Sequence, residues 1–340
     1  MGKIEGRSRR RIPKQDLMKM WIAAAAVLAA LAVLAFFLHR LDISRTAPPQ
    51  NPGAMLPTTG QGRATLQVGK DTYTLKDNVE SYLFLGIDVA GPVKPNAGNL
   101  GAGQADTQML LVIDRNASTW QLLQINRDTM TQVTILGVLG EEVGTEYQQI
   151  ALAHSYGDGM KKSCRNAAKA VSELLGGCPI EGFYSLHMEG VSALVDSVGG
   201  VTMTIPEDYT ALDPALKKGA EVTLTGEQAY ILLRSRKDVD DMTNVSRMAR
   251  QRAFLEAAVT KAGTLTDADV LRTYEAVSDY VVTDLGSAEI QKLAEDIQSL
   301  EQLPTLTIDG KSKVVDGVMT YELDQTSLRD VVVQLFYKNS

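Results

Sequence analysis

The sequence predicts a three-layer α/β/α domain with a central mixed sheet, preceded by one N-terminal transmembrane helix. Three observations lead there. Met20 to Leu38 is an uninterrupted uncharged run, "MWIAAAAVLAALAVLAFFL". The segments "SYLFLGID" (81–88), "MLLVID" (109–114) and "WQLLQIN" (120–126) are continuously apolar, as strands are when both faces are covered. These strands are followed by helical patterns, and mixed elements of this kind build layers of helix on sheet.

The N-terminal run holds 19 residues. As a helix it spans roughly 28 Å, close to a bilayer core of about 30 Å. A cleaved signal peptide has an apolar region of about 7 to 15 residues and a small-x-small site. Here the run is longer and ends in Phe36, Phe37, Leu38, His39 and Arg40, so an uncleaved anchor fits better. Seven Lys or Arg precede it, which places the N-terminus in the cytoplasm and the remainder outside. The expected organisation is a basic cytoplasmic tail (1–19), a single span (20–38), an extracellular linker and lead-in (39–78), and an extracellular domain (79–340). Residues 41–62 are rich in Pro, Gly and Thr, the composition of a tether.

Along the domain, "TLQVGKDTYTL" is a Thr-rich lead-in to the first strong strand, which ends at Asp88. A Gly-rich loop, "GPVKPNAGNLGAGQ", follows, and then the strands ending at Asp114 and Asn126. Helical patterns cover about 148–156, 163–175 and 189–197, and "GVTMTIP" (200–206) is a strand. Thr225 can cap a helix over "GEQAYILL". A longer helix runs from about 244 to 262, with Asn244 as cap and Gly263 just past its end. Helices at 268–280, 287–300 and 326–336 and strands near 304–308 and 314–321 complete the chain.

Charge is unevenly distributed. Residues 1–40 carry eight of the 34 basic residues and two of the 41 acidic ones, so the rest has a formal charge near −13. That body excludes nucleic-acid binding through its overall field. An anionic ligand needs a local basic cluster. The two cysteines, Cys164 and Cys178, bracket a helical segment that would hold their ends roughly 20 Å apart, too far for a disulfide. They are expected as free thiols. The histidines at 39, 154 and 187 are scattered and form no zinc signature.

Three arginine sites supply the cluster. In "LLQINRDTM" a buried strand runs straight into Asn126, Arg127 and Asp128, at the strand end where α/β sheets bind ligands. In "LLRSRKD", Arg234 and Arg236 lie two apart, on the same side of an extended segment. In "NVSRMARQRAFL", Arg247, Arg250 and Gln251 share one helix face. The last pair lies in the first turns, where cations oppose the helix dipole by roughly 0.3–1 kcal/mol. A bound anion would reverse that sign, whereas Asp238, Asp240 and Asp241 could instead neutralise a solvated face. Asp88 and Asp106 flank the Gly-rich loop, so neighbouring strands can bring both to the edge where Arg127 lies. Two carboxylates beside phosphates are the usual protein share of a Mg²⁺ site; taken singly, each could be a cap.

In their order, "LFLGID", "ADTQMLLVID", "LLQINRDTM", "FYSLHMEGVSALVDSVGGVTMTIPED", "LTGEQAYILLRSRKD" and "RMARQRAFLEA" resemble the LytR–CpsA–Psr family over roughly residues 79–262. The resemblance implies a Gram-positive cell-membrane enzyme whose catalytic domain faces outward. Such enzymes move glycopolymers, teichoic acids or capsular polysaccharide, from a polyprenyl-pyrophosphate carrier to peptidoglycan through a phosphodiester. It implies that Asp88 and Asp106 position Mg²⁺, with Mn²⁺ as the alternative metal. Arg127, Gln228, Arg234, Arg236, Arg247 and Arg250 would bind the pyrophosphate, and Asp88, Asp106 and Arg127 would be the catalytic group. It also implies an apolar tunnel for the prenyl chain. Three positions depart from the family pattern: Asn126 replaces a Pro, Asn244 an Asp, and Val89 follows Asp88 where polar or basic residues are common.

The chemistry agrees with the residues. Arginine pairs grip phosphate oxygens bidentately, and phosphoryl-type transfer asks mainly for positioning and electrostatics, so no His or Cys nucleophile is required. Asp88 is a candidate for deprotonating the acceptor hydroxyl. Two other readings compete: a pyrophosphatase acting on the same lipids, and a non-catalytic envelope protein that binds anionic lipid or polymer. The Asp88 and Asp106 pair disfavours pure binding, which needs arginines but no metal clamp.

Overall fold

The computed structural model describes residues 65–96, 98, 100–235 and 244–339. The expected transmembrane span, the tether, Arg236 and the acids at 238, 240 and 241 lie outside them, as does the side chain of Asn244. Among the described residues no helix is long and apolar enough to cross a membrane.

The strands are β1 Thr65–Val68, β2 Asp71–Leu75, β3 Val79–Ile87, β4 Ala105–Asp114, β5 Thr119–Ile125, β6 Met130–Leu136, β7 Glu142–Gln149, β8 Gly182–His187, β9 Val201–Thr204, β10 Glu221–Leu224, β11 Val281–Thr283, β12 Glu301–Gln302, β13 Leu306–Thr307, β14 Gly310–Val315, β15 Val318–Leu323 and β16 Tyr337–Asn339. The helices are α1 Lys161–Leu174, α2 Gly190–Ser197, α3 Gly226–Arg234, α4 Asn244–Ala262, α5 Asp267–Val277, α6 Ser287–Ser299 and α7 Gln325–Phe336. The central sheet has the order β11-β8-β3-β4-β5-β12, with β13 also pairing β5. It is mixed: β3 is parallel to β8 and antiparallel to β4, and β4 is antiparallel to β5.

Alternation along these strands makes three layers, because successive side chains leave opposite faces of a sheet. Leu83, Leu85, Leu110, Val112 and Leu123 join Ala167, Val171 and Leu174 of α1 and Leu328, Val332 and Leu335 of α7 in one core. Tyr82, Met109, Leu111, Trp120 and Leu122 join Leu293 of α6, with Leu255 and Val259 of α4 packed against them, in another. A third cluster gathers α2, α3 and β9 around Val195, Val201, Leu232 and Phe254. Arg115, between Glu80 and Asp296, ties β3 to α6, and holds the Glu80 carboxyl down at about 2.

Several expectations change. The folded unit starts by Thr65, since β1 and β2 pair with each other and β2 pairs with the C-terminal β16, and Leu66 enters the core. The helix expected at 148–156 is a 3₁₀ turn over Ile150–Ser155. The single strand expected near 314–321 is a hairpin, split by Asp316 and Gly317, both at positive φ. The β6–β7 hairpin was not anticipated. Cys164 and Cys178 are free and buried, as expected, and burial pushes both thiols up to about 12.

Candidate functional site

Sheet register assembles the site. Ile87 pairs with Ala105 and with His187, so the C-terminal ends of β3 and β8 and the start of β4 form one edge. Asp88 follows β3, and its N–H donates to the Gln104 carbonyl at 3.1 Å, closing the Gly-rich loop. Gln108 pairs with Ile125, so the residues just past β5 emerge beside Asp106. There Asn126 accepts from the Asp128 N–H at 3.0 Å, and the Thr129 N–H donates to the Asn126 carbonyl at 3.0 Å. This side-chain-closed turn holds Arg127 out at the edge without a proline.

Asp106 is the hub. It is buried, and its two carboxylate oxygens accept from different arginines: Oδ1 from Arg127 Nη1, and Oδ2 from Arg247 Nη1 at 3.1 Å. A buried carboxylate is tolerable only when paired in this way. Arg127 also donates through Nη2 to Gln104 Oε1, and its Nε lies 3.3 Å from Asp128 Oδ1. Asp128 is pushed up by burial, with the nearby Arg127 opposing that shift. Gln149 Nε2 donates to the same Asp128 oxygen at 2.8 Å.

Facing this edge is a pocket of 630 Å³ lined by Asp88, Asp106, Met188, Tyr230, Ile231, Leu233, Arg234, Ser235, Arg247 and Gln251. Helix α3 supplies one wall. Its start is held by a capping box, in which Thr225 Oγ1 accepts from the Gln228 N–H and Gln228 Oε1 accepts from the Thr225 N–H. Its last turn carries Arg234 stacked 5.4 Å over the Tyr230 ring, a favourable placement for a guanidinium. Helix α4 supplies Arg247 and Gln251, one turn apart. The polar floor and the Met188, Ile231 and Leu233 wall give one cavity two chemistries.

Of the residues singled out in the sequence, Asp88, Asp106, Arg234 and Arg247 line the pocket, and Arg127 stands directly behind Asp106. Two are placed elsewhere. Gln228 is occupied as a helix cap and donates to Asp213 at 3.1 Å. Arg250 is buried outside the lining, with its guanidinium 5.3 Å over the Tyr209 ring and Nη2 donating to the Ser235 carbonyl at 2.6 Å. The structure gives Gln228 a capping role and Arg250 a positioning role, because it fastens α4 to the segment after Arg234. Gln104 and Tyr230 were not singled out, and Asp128 was named only beside Arg127 at the strand end; for Tyr230 the i to i+4 spacing to Arg234 was the available signal.

The histidines clamp the Gly-rich loop. His187 Nδ1 meets the Gly91 carbonyl at 3.1 Å, and His154 Nδ1 meets the Gly103 carbonyl at 3.0 Å. Burial pushes His154 down to about 4, so the ring is neutral and its Nδ1–H donates. Among the described residues no group of three or more His, Cys, Asp or Glu could cage a metal. Asp88 and Asp106 are two carboxylates on one pocket, and both supply oxygen donors. That donor set fits a hard divalent cation whose other ligands are phosphate and water.

The LytR_cpsA_psr family profile matches residues 57–336. The polyisoprenyl-teichoic acid–peptidoglycan teichoic acid transferase TagU of Bacillus mycoides is 27% identical over 266 residues, covering 76% of this chain and 79% of that protein. TagU of Enterococcus faecalis is 27% identical over 279 residues, covering 80% and 84%. Among solved structures, protein gbs0355 of Streptococcus agalactiae superposes with a TM-score of 0.62 at 23% identity, covering 76% of this chain and 86% of that one. TagT bound to LI-WTA gives 0.58 at 22% identity, covering 82% and 97%. These likenesses show the shared fold.

Proposed function

The chain belongs to the LytR_cpsA_psr family, and from that premise we propose that it is a membrane-anchored phosphotransferase. It moves an anionic glycopolymer of the teichoic acid class from a polyprenyl-pyrophosphate carrier to a peptidoglycan hydroxyl. One observation carries this reading: Asp88, Asp106, Arg234 and Arg247 converge with Met188, Ile231 and Leu233 on a single pocket. A charged head and an apolar tail both find a matching wall there. Relatives named as teichoic acid transferases support the substrate class.

In the reaction, the acceptor oxygen attacks the phosphorus that bears the glycan. The bond from that phosphorus to the bridging oxygen breaks, and polyprenyl phosphate leaves. Negative charge grows on the bridging oxygen, and guanidinium groups stabilise such charge by bidentate contacts already in position. Arg247 and Arg127 are held in place by Asp106 before substrate arrives, and Arg234 by the Tyr230 ring. Asp88 and Asp106 would hold Mg²⁺, which neutralises phosphate charge when bound. Asp88 is exposed at the pocket and is the candidate to take the proton of the acceptor hydroxyl. Residues 20–38 anchor the chain, with the domain outside.

The test is incubation of the full chain with a defined polyprenyl-pyrophosphate glycan, peptidoglycan oligomers and Mg²⁺. The expected product is a glycan–peptidoglycan phosphodiester. Release of free glycan phosphate without acceptor linkage would show a pyrophosphatase, and unchanged lipid a binder.

A further inference from the structure

The β14–β15 hairpin ends in four apolar residues left largely exposed among the described residues: Val314, Val315, Val318 and Met319 are 63%, 46%, 50% and 42% exposed. Val315 pairs with Val318 and Val314 with Met319 across a two-residue turn in which Asp316 and Gly317 both have positive φ. That is the tight turn an Asp-Gly pair favours. Directly opposed residues share a face and successive pairs alternate, so the tip is apolar on both faces. A hairpin that packs against a domain buries one face and wets the other. One that is apolar on both sides suits immersion.

The root of this hairpin is the candidate site itself. The Tyr321 N–H donates to the Asp128 carbonyl at 2.8 Å, and Tyr321 bridges Thr129. Gln149 Nε2 donates both to Asp128 Oδ1 and to the Met319 carbonyl, each at 2.8 Å. The arginine-bearing turn after β5 and the apolar tip are therefore one mechanical unit. From Tyr321 to the turn, four residues of strand extend about 13 Å.

We propose that this tip docks into the outer interface of the bilayer that carries the substrate. The proposal rests on the membrane anchorage and lipid carrier inferred above. Two features select a bilayer as the occupant. Lys311 and Lys313 lie just behind Val315 on the same face, and both are exposed, with Lys313 paired to Glu322 of the facing strand at 2.5 Å; long basic side chains there reach anionic headgroups while their stems lie along apolar surface. Only residues 39–64 separate the expected span from Thr65, a stretch of 26 residues, so the surface is always within reach. The other apolar hairpin tip, with Val138, Leu139 and Val143 exposed, carries Glu141 and Glu142 instead; Glu142 pairs with Lys169 at 2.8 Å, and the exposed Glu141 repels anionic headgroups. Apolar elements settle about 5–10 Å into the headgroup and acyl boundary. With the tip at that depth, the strand end bearing Arg127 stands at headgroup level, where a pyrophosphate lies.

The experiment uses the full chain in liposomes containing phosphatidylglycerol and a lipid with a nitroxide near its headgroup. A polarity-sensitive fluorophore is attached through Val315→Cys, Val318→Cys or, as the control, Val138→Cys. The native Cys164 and Cys178 are buried and escape labelling of the folded protein. Labels at 315 and 318 should shift to shorter wavelength and be quenched by the nitroxide lipid, and the label at 138 should not. An unquenched label at 315 and 318, or equal quenching at 138, overturns the proposal. So does a blue shift without quenching, which would show the tip buried against protein, such as a second copy. Flotation separates the two levels of inference: a chain that does not float with liposomes sinks the anchorage and this proposal together. A floating chain with an unquenched tip sinks the docking alone.

Discussion

Asp106 has an observed job beside the one proposed for it. Its residue type and position suggested a metal ligand, and the structure adds that it is the counter-ion of Arg127 and Arg247. Removing one partner of a buried ion pair typically costs about 3–5 kcal/mol. Asp106→Asn is therefore expected to abolish turnover and also to lower the melting temperature, with added inorganic pyrophosphate restoring more stability to the variant than to the wild type. An unchanged melt would show that the arginines do not depend on Asp106. Arg247→Ala should instead weaken lipid binding roughly 10- to 150-fold, the loss of a contact of about 1.5–3 kcal/mol. At the loop clamp, the buried neutral His154 sets a pH window. Its pKa falls from 6.5 unfolded to about 4 folded, so between those values the unfolded chain binds the extra proton. Stability contributed by the neutral ring is complete above pH 6.5 and is lost as pH falls toward 4. At pH 5 the loss is about 2 kcal/mol by the shift-to-energy conversion. Urea titrations at pH 7 and pH 5 should show it, and His154→Gln should flatten the difference.

At the scale of elements, α3 is aimed by its first residue. The Gly226 N–H donates to Asp196 Oδ1 at 2.7 Å, and a Cβ on Gly226 would meet the Ser192 carbonyl oxygen at 2.3 Å and Asp196 Oδ2 at 2.6 Å. Helix α3 can approach α2 this closely only because that position has no side chain. An alanine improves helix propensity by about 1 kcal/mol, but the clash with backbone cannot be relieved by rotating a side chain. Gly226→Ala should therefore destabilise by about 1–3 kcal/mol. It should also lower turnover, since α3 carries Arg234 at its far end. A variant as stable as wild type would show that the two helices can separate freely.

For the molecule as a whole, the acidic body and the small basic site divide electrostatic labour. A domain of formal charge near −13 offers polyanions no attractive overall field, so they are held only where basic side chains cluster locally. The topology proposed from the basic residues before Met20 places that domain outside the cell. Protease added to intact protoplasts should degrade residues 65–339, and full protection would refute the orientation. The C-terminal quarter closes the fold: β12 and β13 pair β5, the strand that leads into Arg127, and Leu328, Val332 and Leu335 of α7 complete the core under it.

The central strands and most of the helices were legible in the sequence, as was a set of Arg and Asp residues of the types that suit phosphate. Each of these is local: "MLLVID" and "LLQIN" are buried runs wherever they pair, and Thr225 caps α3 through contacts within three residues. Only tertiary structure decided which charges meet. Arg127 and Arg247 are 120 residues apart, and they converge on Asp106 because β4 runs antiparallel to β5 while α4 packs over the same sheet. The same packing withdrew Gln228 and Arg250 from the pocket, although their motifs are as legible as those that stayed. It also made the 314–321 segment a hairpin rooted at Asp128. Register and helix docking are long-range choices, made by the burial of two cores at once, and no window of sequence contains both partners.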